Sequence, residues 1–119
     1  MELAKLLSEA EVAPPGRRIE WRDPIAAHGT RAIEAVRPWL ASPLLAAFAI
    51  RVIERAGAAG DFALATRVLR EDRGRVPSRI VSDVDWALRR LRVVTQRAAQ
   101  IPDVTNPVAR RAPDRRPRT

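Results

Sequence analysis

The sequence of 119 residues contains no cysteine. It therefore forms no disulfide, and it offers neither a thiolate nucleophile nor a cysteine ligand for zinc or an iron–sulfur cluster. Aromatic residues make up 4% of the chain, tyrosine is absent, and alternating apolar and polar runs of useful length are missing. Strand signals are consequently weak. The abundance of alanine, leucine, arginine and glutamate, which all favour helices, predicts an all-α protein.

Long apolar runs are also missing. No uninterrupted apolar stretch approaches the ~20 residues that a membrane span requires, since Arg51 interrupts the longest candidate. The N-terminal segment MELAKLLSEAEV carries acids where a secretory signal carries bases. We therefore expect a cytoplasmic protein without a membrane partner.

Lysine is almost absent, because Lys5 is the only lysine among 22 basic residues. The codon usage of a GC-rich genome explains arginine in place of lysine, but it does not explain 22 bases against 14 acids and a formal charge of +8. Such an excess on a small chain indicates association with polyanions.

The basic excess is concentrated after Trp86. Residues 87–101 contain four arginines and no acid, and residues 102–119 contain five more arginines and four prolines. The second segment has too few large apolar residues to offset its chain entropy. We therefore predict a disordered tail from Pro102. The candidate nucleic-acid-binding residues are Arg89, Arg90, Arg92, Arg97, Arg110, Arg111, Arg115, Arg116 and Arg118.

Apolar spacing and capping residues predict the helices. We expect an amphipathic N-terminal helix over residues 1–12, a linker over 13–20, a helical domain over 21–101 and the Arg/Pro-rich tail over 102–119. Within the domain, the helix from Pro43 to Ala56 is apolar almost all round and is predicted to be central, with Gly57 closing it. The last helix is predicted from Arg79 to about Gln100. The predicted N-terminal caps are Asp23, Thr30, Ser42, Asp61 and Ser78, and Pro38 predicts a kink or an early helix end.

The segment GTRAIEAVRPWLASPLLAAFAIRVIERAG resembles one unit of a HEAT-like or armadillo-type helical repeat. It contains an amphipathic helix, a turn with Ser42-Pro43 and a more apolar helix. Residues 61–92 resemble a second, weaker unit, so that the resemblance covers residues 30–92. It implies a short stack of antiparallel helix pairs with an extended binding surface. The separation from Thr30 to Asp61 is shorter than the ~40–47 residues of that repeat class, and a small irregular bundle is the alternative.

Signs of catalysis are few. His28 is the single histidine, and its place before Gly29 suits the C-terminal end of a helix dipole. Asp83 and Asp85 lie two residues apart on a predicted helix and point to different sides. The sequence has no phosphate-binding loop, dinucleotide fingerprint or nucleophile elbow. We therefore predict no enzymatic activity, no cofactor and no metal site.

Two functions fit these features. The leading one is a non-catalytic module that binds DNA or RNA phosphates through the last helix and the tail, since the arginine fork binds two phosphate oxygens at once. The alternative is a protein–protein adaptor, or a subunit of a larger complex, that binds an acidic protein. Trp39, beside Pro38, is the candidate partner anchor, although core packing is the default for each tryptophan. Self-association is a further alternative, because a core this small is marginal on its own.

Overall fold

Every regular element in the part of the chain that the structure describes is a helix. The computed structural model describes the backbone of residues 2–105 and the side chains of residues 2–94. This part contains α1 (Leu3–Val12), α2 (Arg22–Ala26), α3 (Thr30–Val36), α4 (Ala46–Ala59), α5 (Phe62–Glu71) and α6 (Val81–Thr105), with 3₁₀ helices at Arg18–Trp21, Arg37–Ala41, Arg73–Arg75 and Ser78–Ile80. The predicted all-α class is confirmed.

Helix α4 lies at the centre of the fold, as its apolar composition predicts. It packs against α2, α3, α5 and α6. Its buried residues include Phe48, Ile50, Val52 and Ile53, and they join buried residues of all the other α-helices in one core. Because α4 contacts four helices, it determines how the polar sides of those helices lie relative to one another.

The bounds of α4 differ from the prediction at both ends. The Ser42 Oγ accepts from the Leu45 N–H at 3.3 Å, but residues 43–45 form a turn and the regular helix begins only at Ala46. Gly57 does not close the helix, which continues to Ala59. Gly57 instead lies where Ala65 of α5 and Leu91 of α6 approach closely, so that a Cβ at this position would overlap Ala65.

The predicted cap at Asp61 is confirmed. One carboxylate oxygen accepts from the Leu64 N–H at 3.2 Å, and the other accepts from the Thr30 hydroxyl at 2.7 Å. The predicted cap at Thr30 is wrong, because Gly29, with φ of 62°, precedes the first residue of α3. Thr30 therefore joins the start of α3 to the start of α5.

Pro38 ends α3 early, as predicted. The helix stops at Val36 and the chain continues as the 3₁₀ helix Arg37–Ala41. The predicted cap at Asp23 is wrong, because α2 already begins at Arg22, directly after another 3₁₀ helix. The Asp23 carboxylate accepts from Arg22 Nε at 2.9 Å, and it lies 3.3 Å from Arg55 Nε on α4.

Helix α1 packs onto the rest of the fold. Leu3, Leu6 and Ala10 are buried in the common core. Arg18 completes the end of this helix, since its guanidinium donates to the carbonyl oxygens of Ala10 at 2.8 Å and Ala13 at 2.9 Å. The basic side chain therefore replaces the hydrogen bonds that a helix C-terminus lacks.

The last helix begins and ends later than predicted. Ser78 does not cap it, because the backbone first forms a 3₁₀ turn in which the Ile80 N–H donates to the Pro77 carbonyl at 2.8 Å. Helix α6 continues past Pro102, where the tail was predicted to start, to Thr105. A proline within a helix removes one backbone hydrogen bond, and here it does not end the helix. Residues 106–119, with the rest of the predicted tail, lie outside the described residues.

No helix formed by residues 2–105 combines the length and the apolar content needed to cross a membrane.

Candidate anion-binding cleft

Only some arginines of the predicted basic cluster are residues whose side chains the structure describes. Arg89, Arg90 and Arg92 are exposed on the described part of the helix. The side chain of Arg97 lies outside the described side chains. The five predicted tail residues, Arg110, Arg111, Arg115, Arg116 and Arg118, lie outside the described residues altogether. The structure therefore shows the surroundings of three of the nine predicted arginines.

Arg90 forms a bidentate ion pair with Glu54 of α4. Its Nε donates to one carboxylate oxygen at 2.6 Å and its Nη2 donates to the other at 2.8 Å. The Glu54 carboxylate raises the pKa of Arg90 above its usual value. This pair joins α6 to α4, and much of the Arg90 charge is balanced within the protein.

Arg89 lies against Trp86, with its guanidinium carbon 4.8 Å from the ring centroid. This distance is within the range of a cation–π interaction. Trp86 is 53% exposed, although the sequence favours core packing for it. The buried face of α6 is formed by Val84, Ala87 and Leu91, and a helical projection places residue 86 away from that face. The sequence signal for this exposure is therefore the position of Trp86 around the helix axis, away from the apolar stripe.

A cleft of about 390 Å³ lies between α2, α4 and α6. Helix α4 contributes Ala47, Arg51, Glu54 and Ala58, whose spacing places them on one face of the helix. Trp86 lies on the α6 side. The full lining is Arg22, Ala47, Ile50, Arg51, Glu54, Arg55, Ala58, Asp83, Trp86 and Arg90.

Four guanidinium groups line this cleft, against the carboxylates of Glu54 and Asp83. Arg22 and Arg55 both contact Asp23, and the hydrogen bond from Arg22 lowers the pKa of that carboxyl. Arg51 is exposed and forms no ion pair with any residue of the described part. The cleft therefore has a positive balance of charge and one arginine whose guanidinium is available to an anion.

Sequence reasoning missed the cleft arginines outside α6. Arg22, Arg51 and Arg55 are separated along the chain and belong to no basic run. Only the packing of α2 and α6 on the same side of α4 brings them together with Arg90. The interruption of the apolar helix at Arg51 was the one local signal of a polar face.

Trp39 lies at the edge of the core. Its side chain is half-buried, and its ring centroid is 6.2 Å from that of Phe48. This packing accounts for the tryptophan at that position. Its role as a partner anchor stays a prediction.

A second charged cluster lies where the 3₁₀ helix after α3 meets the end of α5. Asp72 is only 3% exposed, and Arg37 donates to its two oxygens at 2.7 and 3.1 Å. The same guanidinium donates to Glu71 at 3.0 Å. Because the buried carboxylate is fully engaged by an arginine, this cluster joins elements of the fold.

Metal-ligating side chains are dispersed. Among the described residues, no three histidine, aspartate or glutamate side chains are grouped so that they could hold a metal ion. Comparisons of the chain with protein-family models, with curated proteins and with solved structures gave no match.

Proposed function

We propose that the protein is a non-catalytic helical module that binds nucleic-acid phosphates through α6 and the arginine-rich segment after it. The observation that carries this proposal is the cleft beside α6, which is lined by Arg51 and three further arginines. Arg51 has no ion-pair partner within the described part of the chain, and the cleft enlarges the basic region of α6 by residues from α2 and α4. A planar guanidinium binds phosphate oxygens through two parallel hydrogen bonds, which suits arginine for this contact.

The charge distribution determines what kind of binding we expect. Arg51 and Arg92 are exposed and have no ion-pair partner in the described part, whereas Arg90 is engaged by Glu54. Contacts to the phosphate backbone carry little sequence information. We therefore expect weak sequence preference and affinity that falls steeply as salt increases, because each neutralised phosphate releases counterions.

The test measures the anisotropy of a labelled DNA oligonucleotide against salt concentration, with the full chain and with two variants. In the first variant, all five arginines of residues 106–119 are changed to glutamine. In the second, Arg51 is changed to glutamine. We expect both to weaken binding and to lower the slope of log affinity against log salt by about 0.7–0.9 for each phosphate that the variant no longer neutralises.

Arg70→Gln is the matched control, because Arg70 is also exposed and unpaired in the described part but lies on α5, outside the cleft. Equal loss of affinity in Arg51→Gln and Arg70→Gln would indicate a general charge effect. Binding that does not change with salt, or no binding at low salt, would contradict the proposed function.

A second candidate is a protein adaptor that binds an acidic partner. It is favoured by the exposure of Trp86 and Val93, which are 53% and 44% exposed and lie seven residues apart on α6. Tryptophan and arginine are both enriched among interface hot spots. If every partner recovered with the protein is lost after nuclease treatment, the adaptor is excluded. Recovery of one acidic protein after that treatment would favour it.

For the architecture, we propose an irregular bundle built around α4 and not a HEAT-like stack. The support for the bundle is the central place of α4, which packs against α2, α3, α5 and α6, and a single core that contains residues of all six described α-helices. The binding region then belongs to one side of a bundle and does not extend along a solenoid.

A further inference from the structure

We propose that the cleft beside Trp86 binds an unpaired nucleobase, so that the nucleic acid bound by this protein is single-stranded. This inference rests on the proposed function and names the class of nucleic acid. It follows from an exposed indole ring, a cleft beside it and the exposed guanidinium of Arg51 in the same cleft.

The first step concerns the exposure of the indole ring and the groups beside it. Trp86 is 53% exposed and lines the cleft. Arg89, which is not part of the cleft lining, lies 4.8 Å from the ring centroid. The guanidinium therefore lies over the indole ring, and the ring also lines the cleft. Proteins that bind single strands use such exposed aromatic rings as surfaces on which bases stack.

The second step is the chemistry of the cleft around the ring. Asp83 lies one helical turn before Trp86 and lines the same cleft. Its carboxylate would repel a phosphate, but it can accept hydrogen bonds from the exocyclic amino group of a base. Glu54, the other carboxylate, is already paired with Arg90. The part of the cleft beside Trp86 therefore suits a base, and the volume of about 390 Å³ is within the range of sites for small ligands.

The third step places the phosphates. Arg51 lies on the α4 side of the cleft and forms no ion pair with a described residue. A base stacked on Trp86 would occupy the same cleft as this guanidinium, which can bind a phosphate of the strand. In a duplex, both faces of each base are covered by neighbouring base pairs, so a duplex offers the cleft its phosphates but no free base. The exposed indole therefore contributes to affinity only when the strand is single.

The experiment compares a labelled single-stranded oligonucleotide with the duplex of the same sequence, at one salt concentration, using the full chain. We expect the single strand to bind more tightly. Trp86→Ala should lower its affinity by roughly 5- to 150-fold, the factor that corresponds to the loss of one base–aromatic stack. The affinity for the duplex should stay within about twofold, since backbone contacts do not involve the ring.

Two further variants separate stacking from damage to the fold. Trp86→Phe keeps an aromatic face and should retain most of the affinity for the single strand. Val93→Ala removes another exposed apolar side chain of α6 and should change neither affinity. Because Trp86 is exposed, we expect the far-ultraviolet circular dichroism and the Tm of Trp86→Ala to match the wild type.

The outcomes distinguish this inference from the proposed function. If single strand and duplex bind equally and Trp86→Ala changes neither, the inference is wrong and the proposed function holds. Equal loss for both nucleic acids in Trp86→Ala also contradicts the inference. If neither nucleic acid binds at low salt, both proposals fail. An acidic protein that is retained by the wild type after nuclease treatment and lost with Trp86→Ala would overturn the inference and assign the surface to the adaptor function.

Discussion

Arg90 on α6 and Glu54 on α4 form a two-point ion pair, with nitrogen–oxygen distances of 2.6 and 2.8 Å. One of the arginines that the sequence assigns to phosphate binding is thus already engaged by a carboxylate on the neighbouring helix. Both residues line the cleft. Glu54 therefore both positions Arg90 and reduces the positive charge that the cleft offers to an anion.

Removal of the Glu54 charge should strengthen nucleic-acid binding. In Glu54→Gln, the cleft loses a negative charge and Arg90 becomes available to phosphate. We expect the affinity at low salt to rise by up to roughly fivefold, because an exposed charge pair is worth up to ~1 kcal/mol. Anisotropy titrations with the labelled oligonucleotide measure this change. Glu34→Gln on α3, an exposed acid outside the cleft, is the matched control, and a rise of equal size in both variants would contradict a local effect.

Gly57 should not tolerate a methyl group. A Cβ at this position would overlap Ala65 of α5 and would come within 3.2 Å of Leu91 on α6. Alanine is favoured over glycine within a helix by about 1 kcal/mol, but overpacking of a core typically costs about 1–3 kcal/mol. We therefore expect Gly57→Ala to lower the free energy of unfolding, measured by urea denaturation.

Gly74→Ala provides the control, since nothing lies within 4 Å of a Cβ built there. Its unfolding free energy should stay within about 0.5 kcal/mol of the wild type. If Gly57→Ala were as stable as the wild type, α4 and α5 would not be in the close contact described above.

The Arg37–Asp72 pair should contribute more to the stability of the fold than the exposed ion pairs do. Asp72 is 3% exposed, and Arg37 occupies both of its carboxylate oxygens. Arg37→Ala would leave a buried carboxylate without its main partner, which is strongly destabilising. We expect the Tm to fall by several degrees.

Arg31→Ala, on the preceding helix α3 but exposed and unpaired in the described part, should leave the Tm nearly unchanged. A double-mutant cycle with Asp72→Ala then isolates the interaction. If the two single substitutions are additive, the pair contributes nothing beyond its separate side chains.

How far the sequence predicted this structure depended on whether the decisive contact was local. Asp61 and Pro38 act on their own helix ends, through one side-chain hydrogen bond and one missing N–H, and both were predicted. Gly57 was misread as a helix end because its role depends on Ala65 and Leu91, which approach only in the folded protein. Thr30 was misread as a cap because its hydroxyl donates to Asp61 of another helix.

The same distinction applies to the candidate site. A run of arginines is visible in a sequence, so Arg89, Arg90 and Arg92 were identified. Whether each guanidinium is available depends on its neighbours in space, and nothing local to Arg90 indicates its pairing with Glu54. The arginines of α2 and α4 were missed because the cleft forms only when three helices pack together.

Acid should weaken the junction between α3 and α5 through Asp61. The Thr30 hydroxyl and the Leu64 N–H both donate to this carboxylate and lower its pKa below the ordinary value, which is about 3.9. An acid whose pKa is lower in the folded state stabilises the fold above its unfolded pKa. That contribution decreases as pH falls below about 4 and is lost once the pH is below the folded pKa.

Asp61→Asn keeps the capping oxygen but removes the titration, because asparagine is also a favourable N-cap residue. We expect this variant to be less stable than the wild type at neutral pH, with the difference decreasing towards zero on acidification through pH 4 and below. Urea midpoints measured across this range test the expectation.

Other carboxyl groups also contribute to the acid sensitivity. Asp23 and Asp85 have lowered pKa values through Arg22 and Arg73, so part of the sensitivity should persist in Asp61→Asn. Thr30→Val, which removes only the hydroxyl donor, should reduce the difference between neutral and acidic midpoints by a smaller amount. A constant gap between Asp61→Asn and the wild type at every pH would show instead that the carboxylate titrates alike in the folded and unfolded chains.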